Sequence, residues 1–322
     1  MKLGIVGVGK VGCACALATA ARGFAREIVL VDRTQQRAEA VATDIRYGLP
    51  LLPRAEIFAG DYGALAGAAL VMITVGVNEK TGGATDRSDP QGRLRLLDKN
   101  AAIYREVVPR IAAAAPQTVL LVITDPPDPL ADVARRAAGH GRVLSSGTYL
   151  DSLRFRTHLA RHFNVDPTEV EAQVLGDHGT AQVFVWSGAR VAGVPVRALL
   201  ERRGENFDAV REAVERDVRY ANITIIEGNE ASQFGIGVVS ARIAEMVMRD
   251  ERAAIPIGSF NEEFGATLSL PSVVGRAGVI EILPPELSDA ERAGLEKSAE
   301  TLRAALARVQ DGAPAAAARR QA

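Results

Sequence analysis

Cysteine is almost absent from this 322-residue chain, which has only Cys13 and Cys15. Their CxC spacing falls in an Ala-rich stretch that predicts helix. There the two side chains face different sides and cannot readily bridge. A disulfide framework is thereby excluded, and the pair reads as small apolar residues packed against a sheet. No apolar run reaches the roughly 18 residues that a spanning helix needs. The start, MKLGIVGVGKVG, lacks the basic n-region, apolar h-region and cleavage site of a secretory signal. One-sided charge is missing as well. Lys+Arg number 38 and Asp+Glu 39, a net charge of -1, so nothing points to nucleic acid or an anionic membrane as partner. Cytoplasm is the expected compartment. No internal repeat and no metal site is read.

The length suggests roughly two domains at about 150 residues each, enough for an ample core. Residues 3–6 form a short apolar run that ends in a glycine-rich turn, followed by an Ala-rich helical stretch over 11–22 and a second apolar run over 27–31. That order is one βαβ unit. Further continuous apolar runs lie at 70–75 and 119–124, as expected of parallel strands covered on both faces. Helical patterns at 34–47 and 94–115 separate them, and 144–146 is expected to close the sheet. This alternation predicts an α/β fold with a doubly wound, Rossmann-type parallel sheet over residues 1–146.

The second half, 147–311, reads as an α+β substrate domain. Val174, Val183 and Val185 alternate as strand residues do. Long helices are expected over 207–227 and 235–249, a hairpin from 268–274 and 278–282, and a last helix over 288–309 that opens on an N-cap serine. Residues 312–322, GAPAAAARRQA, are low in complexity and expected to be disordered.

Gly7, Gly9 and Gly12 form GxGxxG between the first strand and first helix, with Lys10 and Val11 inside the turn. Alone that spacing also suits a plain tight turn. Here an acid, Asp32, lies 20 residues past the last glycine at the end of the next strand. Those glycines let backbone approach a pyrophosphate at a helix N-terminus, and the acid takes the ribose hydroxyls. Asp32 repels a 2′-phosphate and so favours NAD over NADP, while Arg33 pulls the other way.

Residues 147–180 hold the second constellation, GTYLDSLRFR and then GDHGT. Asp151 and Arg154 sit three apart in the first turn of an expected helix, and His178 follows in a Gly-flanked loop. Taken singly, the pair reads as a helix ion pair of small worth, and the histidine as an ordinary surface residue. Together, after a dinucleotide fold, they supply what reduction of a 2-keto acid needs. Arg154 clamps the carboxylate through two parallel hydrogen bonds. His178 protonates the carbonyl oxygen, and Asp151 holds its tautomer.

In GIVGVGKVG, LDSLRFR, GDHGT, VWSGARVAGVPV, IIEGNEASQFGIG, SLPSVVGRAGVIEIL and LSDAERAGLEKSAETLR, the chain resembles the L-lactate/malate dehydrogenase family over residues 1 to about 310. It is more similar to the lactate side. The resemblance implies NAD as cofactor and a small L-2-hydroxy acid/2-keto acid pair as substrate, L-lactate and pyruvate leading; malate or another L-2-hydroxy acid is the first alternative, and a weakly catalytic NAD-binding protein, its site altered by Asp125, is the second. It implies His178 as acid/base, Asp151 as its orienting partner and Arg154 as the carboxylate clamp. By the same likeness, Arg93 is the mobile-loop arginine that polarises the carbonyl, and Gly76 lies on the cofactor side. Ser232 stands where the family has a threonine lining the substrate pocket. Ile236 stands where an apolar residue meets the nicotinamide. A homodimer or homotetramer is also implied.

Three departures from the family pattern stand out. Asp125, in Thr-Asp-Pro, replaces an asparagine on the substrate and nicotinamide side, so acceptors replace an amide donor. The loop between Gly76 and Arg93 is longer than usual. It reads as a lid, with Glu79 at the position that selects the substrate side chain and Arg87 an alternative selector. Thr180 replaces an aspartate. An anionic effector is not expected, because Glu171 meets it where sugar-bisphosphate-activated relatives resemble one another in having histidine, although Arg156 is present.

Overall fold

The glycine-rich turn sits at the carboxyl edge of a parallel sheet, and that placement organises the molecule. This computed structural model describes residues 1–82, 85 and 92–311, the side chains of Glu79, Thr81, Arg93, Gln310 and Asp311 excepted. The expectations for Arg87 and for the tail at 312–322 lie outside the described residues.

Strand β1 (Lys2–Val6) runs into helix α1 (Lys10–Arg22), then β2 (Glu27–Val31) and α2 (Gln35–Gly48). Strands β3 (Glu56–Ala59) and β4 (Ala68–Ile73) follow, then the short helix α3 (Glu79–Gly82) and the long α4 (Leu97–Ala114). Next come β5 (Val119–Val122), α5 (Pro127–Ala138) and β6 (Val143–Ser145). The six strands pair in parallel in the order β3-β2-β1-β4-β5-β6. This is the doubly wound order, whose direction reverses between β1 and β4. Ligands bind at such switch points, beyond the carboxyl ends of the strands.

β3 and α5 are absent from the expectation, and both have local causes. β3 is the edge strand, opens on exposed Glu56 and buries only Ile57 fully, so it shows no continuous apolar run. Pro127 and Pro129 stand in the first turn of α5, where backbone N–H groups have no partner within the helix. The proline cluster thus starts this helix instead of breaking it.

The second half opens with α6 (Tyr149–Phe163), then β7 (Val170–Glu171), β8 (Val174–Gly176), β9 (Gln182–Phe184), β10 (Arg190–Val191) and β11 (Val194–Pro195). Helices α7 (Val196–Arg203), α8 (Phe207–Arg219), α9 (Ala221–Asn229) and α10 (Phe234–Arg249) come next. Strands β12 (Ala253–Asn261), β13 (Ala266–Gly275) and β14 (Gly278–Ile282) precede the final α11 (Asp289–Asp311). The single helix expected over 207–227 is two. It breaks at Tyr220, which sits at φ −104°, ψ 9°, just before the β-branched run Ile223–Ile226, poor in helix propensity. The hairpin and the serine start of α11 are as expected. Ser288 N donates to the Glu291 carboxylate at 2.8 Å, and Glu291 N donates to Ser288 Oγ at 3.4 Å, a reciprocal capping box.

The sheet does not stop at β6. Ser145 pairs with Gly258 of β12, and the antiparallel series β12-β13-β8-β9 continues it. Two apolar layers cover the parallel part. One contains Cys15, Ala16 and Ala20 of α1 with Val239, Ile243 and Met246 of α10. The other contains Tyr104, Val108 and Ile111 of α4 with Leu130 of α5 and Leu306 of α11. Helices α1 and α10 meet closely. A Cβ on Gly237 would come 2.7 Å from the Ala14 side chain. Buried Glu245 then receives Arg22 of α1, and Arg242 and Arg249 of its own helix. Cys13 and Cys15 are both free thiols, and burial pushes the Cys15 thiol up to about 12.

Candidate active site

Two half-sites converge at the carboxyl edge of the parallel strands. The first is the glycine turn. Gly7 has φ +100°, and a Cβ there would stand 2.6 Å from Val75 N. A Cβ on Gly12 would stand 2.0 Å from the Gly7 carbonyl oxygen. Only glycine permits this turn and this helix approach. By contrast, a Cβ on Gly9 would meet nothing within 4 Å, so the turn faces an open space at the N-terminus of α1. That space is what a dinucleotide pyrophosphate requires. Asp32 directly follows β2 and braces the turn, accepting from Val8 N at 2.8 Å and Thr34 N at 3.0 Å. A carboxylate has about four lone-pair sites, so capacity remains for ribose hydroxyls. The residues therefore fit a dinucleotide. Lys10 pairs with Glu230 at 2.9 Å, Val11 in the first turn of α1 is partly buried against the core, and Arg33 is exposed.

The second half-site is built on α6. Asp151 is buried, and its two oxygens serve two partners. Arg154 Nη1 donates to Oδ1 at 3.0 Å, while His178 Nδ1 is hydrogen-bonded to Oδ2. An ionised carboxylate only accepts, so the Nδ1 edge carries a proton and Nε2 is the working nitrogen. The helix and the His loop are tied together locally. Val174 N, on the strand leading to His178, donates to Ser152 Oγ at 2.9 Å. Thr148 Oγ1 donates to the Val174 carbonyl, and Thr148 N donates to Ser269 Oγ at 2.9 Å.

Asp125, at the carboxyl end of β5, places Oδ1 3.9 Å from His178 Nε2. That is beyond a hydrogen bond but well inside Coulomb range. The imidazole thus has one acid at each edge. Asn100 of α4, fully buried, positions this acid. It donates from Nδ2 to the Asp125 carbonyl at 2.7 Å and accepts from Val77 N at 2.7 Å. Gly76 packs there too, since a Cβ on it would lie 2.4 Å from the Thr124 side chain and 2.9 Å from Asn100 Oδ1. Sequence reading passed over Asn100. Its only signal is an asparagine on the apolar face of α4.

The remaining expected residues lie as follows. Ser232 is half-buried between α9 and α10, and Ile236 is partly buried on α10 against the core under α1. Glu79 is in α3 and Arg93 in a 3₁₀ turn over Gly92–Leu96, their side chains outside the described residues. Thr180 is exposed, and Arg156 donates to the Ala172 carbonyl at 3.0 Å. Among the described residues no three His, Cys, Asp or Glu side chains group to hold a metal ion.

A doubly wound sheet with an open glycine turn, next to a His–Asp–Arg cluster, defines the class: an NAD-dependent α/β oxidoreductase. The family comparisons narrow it. Residues 1–143 match the lactate/malate dehydrogenase NAD-binding domain, and 148–312 match the alpha/beta C-terminal domain of the same family. The L-lactate dehydrogenase of Deinococcus radiodurans is 44% identical over 304 residues, covering 94% of this chain and 97% of that one. The L-lactate dehydrogenase of Thermus aquaticus is 41% identical over 314 residues, 95% and 98% of the two chains. Among solved structures, a lactate dehydrogenase from a Medee basin deep-sea metagenome library superposes with TM-score 0.88 at 33% identity, covering 96% of this chain and 98% of that one. The minor L-lactate dehydrogenase of Enterococcus mundtii gives TM-score 0.88 at 31% identity, with the same coverage. The chain belongs to the lactate/malate dehydrogenase family.

Proposed function

We propose that this protein interconverts a small L-2-hydroxy acid and its 2-keto acid with NAD(H), L-lactate and pyruvate being the leading pair. One observation carries the reading: a single buried carboxylate, Asp151, holds both His178 and Arg154. Such an arrangement fixes a proton donor and a carboxylate clamp relative to each other, and positioning of this kind accounts for a large part of catalysis. Gly7, Gly9, Lys10, Val11, Gly12, Asp32, Gly76 and Ile236 are the residues proposed to hold the dinucleotide, which supplies or accepts the hydride.

In the direction of reduction, Arg154 binds the substrate carboxylate with donors other than the one given to Asp151. His178, protonated at both nitrogens, donates from Nε2 to the carbonyl oxygen. Asp151 stabilises the imidazolium and keeps the ring from turning. Arg93 is assigned the polarisation of the carbonyl, and Ser232 and Glu79 the recognition of the side chain. In oxidation, neutral His178 takes the hydroxyl proton at Nε2.

Mixing the protein with NADH and a panel of 2-keto acids tests this directly. Pyruvate should be consumed with loss of NADH absorbance. His178→Asn should lower turnover by about 10²–10⁴-fold, the usual contribution of general acid–base catalysis, without loss of NADH binding. No turnover of any 2-keto acid by the wild type sinks the reading.

One observation favours a variant reading, in which the substrate is another L-2-hydroxy acid. Asp125 faces His178 where the family pattern has an asparagine, and an acid there suits a substrate that carries a hydroxyl or ammonium donor. Assembly into a homodimer or homotetramer is proposed on the family likeness. The exposed apolar side chains of Leu17 on α1 and of Phe234 and Val238 on α10, two helices packed together, support it. A cytoplasmic location is proposed too. No described helix is long and apolar enough to cross a membrane.

A further inference from the structure

Asp128 lies in the first turn of α5 and is fully buried. Its Oδ2 accepts the backbone N–H of His178 at 2.8 Å, and its Oδ1 accepts from Ser145 Oγ at the end of β6. Gly258 of β12 closes a third side. A Cβ there would stand 2.7 Å from Asp128 Oδ1 and 1.8 Å from Ser145 Oγ. One helical turn on, buried Asp132 accepts the Thr267 N–H of β13 at 2.9 Å. Two carboxylates on one face of α5 thus hold two backbone amides of the second half.

Burial, together with the charge of Asp177, pushes the Asp128 carboxyl up to about 7, against the pull of Ser145, the His178 amide and the imidazole. A carboxylate taken out of water beside a like charge is costly. Packing alone does not call for one. What the group does touch is the backbone of the one residue proposed to move the proton.

Resting on the reading of His178 as acid/base, we propose that Asp128 is a positioning residue. It fixes the His178 backbone while Asp151 fixes the ring, and in its ionised form its charge adds to the field at the imidazole. With the ring edge and the main chain both held, the direction of Nε2 is set. A misplacement of about 1 Å costs on the order of 10²-fold in rate. Among the described residues, Asp151 of α6 and Asp125 beyond β5 face the His178 ring, Arg154 shares Asp151 with it, and Asp177 is its chain neighbour. Asp128 itself faces Asp177 and His178. Asp132, Arg135 and Arg136 follow on its own helix.

Asp128→Asn and Asp128→Ala separate the possibilities. Asparagine can accept from the His178 amide through Oδ1 and donate to Ser145 Oγ through Nδ2. Asp128→Asn should therefore keep kcat for pyruvate reduction within about 3-fold of wild type, while the midpoint of its kcat/KM–pH profile moves to lower pH. Asp128→Ala should lose on the order of 10²-fold in kcat with the Kd for NADH unchanged. An unmoved profile in Asp128→Asn overturns the proposal. So does a loss of kcat in Asp128→Asn as deep as that of alanine, or wild-type kcat in alanine. If alanine does not fold, the asparagine variant decides by itself. A wild type inactive on every keto acid would instead overturn the proposed function, so the two failures are distinguishable.

Discussion

Asp125 Oδ1 stands 3.9 Å from His178 Nε2, opposite the Asp151 that holds Nδ1. The imidazole is thereby flanked by acids, and the second acid lies on the side from which the proton leaves. An ionised Asp125 favours the imidazolium and opposes an anionic substrate. An asparagine would supply an amide donor and remove the repulsion. Asp125→Asn should then lower KM for pyruvate and move the midpoint of the kcat/KM–pH profile to lower pH. Initial rates of wild type and variant across several keto acids and pH values check this. If pyruvate improves while a donor-bearing keto acid worsens, Asp125 selects that substrate. If no KM and no profile changes, Asp125 has no part in the chemistry.

Arg154 divides its guanidinium between Asp151, at 3.0 Å, and the proposed clamp. A lysine ammonium can keep one of these but cannot present a planar two-point fork. Arg154→Lys should weaken keto-acid binding by on the order of 2–5 kcal/mol, as for breaking a buried charge pair. NADH affinity should stay the same. Steady-state KM with a parallel NADH titration reads both, and a normal KM for every keto acid would remove Arg154 from the clamp.

Much of this site was legible because its chemistry is local in sequence. Asp151 and Arg154 share one helical turn, and GDHGT marks the His loop by its glycines. The parallel strands were legible because burial on both faces makes them continuous apolar runs. β3, at the sheet edge, is not buried on both faces and shows no such run, and α5 begins in prolines that read as a turn. The two helices at 207–229 merged because no glycine or proline between 207 and 227 marks the break at Tyr220. Asn100, Asp128 and Ser145 were not legible at all. Each matters through a partner far along the chain, 25 residues from Asn100 to Asp125 and 50 from Asp128 to His178. No spacing rule encodes those contacts.

Asp32 both braces the glycine turn through Val8 N and Thr34 N and faces the proposed ribose site. Its charge should make the wild type prefer NADH to NADPH, with exposed Arg33 too solvated to reverse this. Asp32→Ser should narrow the gap from both directions. NADPH use rises as repulsion is lost, and NADH use falls as two backbone donors lose a carboxylate. The ratio of kcat/KM for the two cofactors is the readout. A wild type that prefers NADPH would mean that Arg33 dominates the local field.

Asp128 also makes a prediction for stability, with a definite sign. Its carboxyl is raised to about 7 in the folded protein from an ordinary 3.8. Between those values the folded state holds a proton that the unfolded chain has released. The contribution is therefore fully present below pH 3.8 and is lost as pH rises through 7, with a slope of at most about 1.4 kcal/mol per pH unit for one group. Asparagine at 128 carries no such proton. Asp128→Asn should gain stability relative to wild type as pH is raised from 5 to 8, by an amount on the order of a few kcal/mol. Paired urea melts at the two pH values measure that change in the gap, in which the ordinary acids and bases of the rest of the protein cancel. A gap that stays constant would show that Asp128 is already ionised at pH 5, and that Ser145 and the His178 amide outweigh its burial.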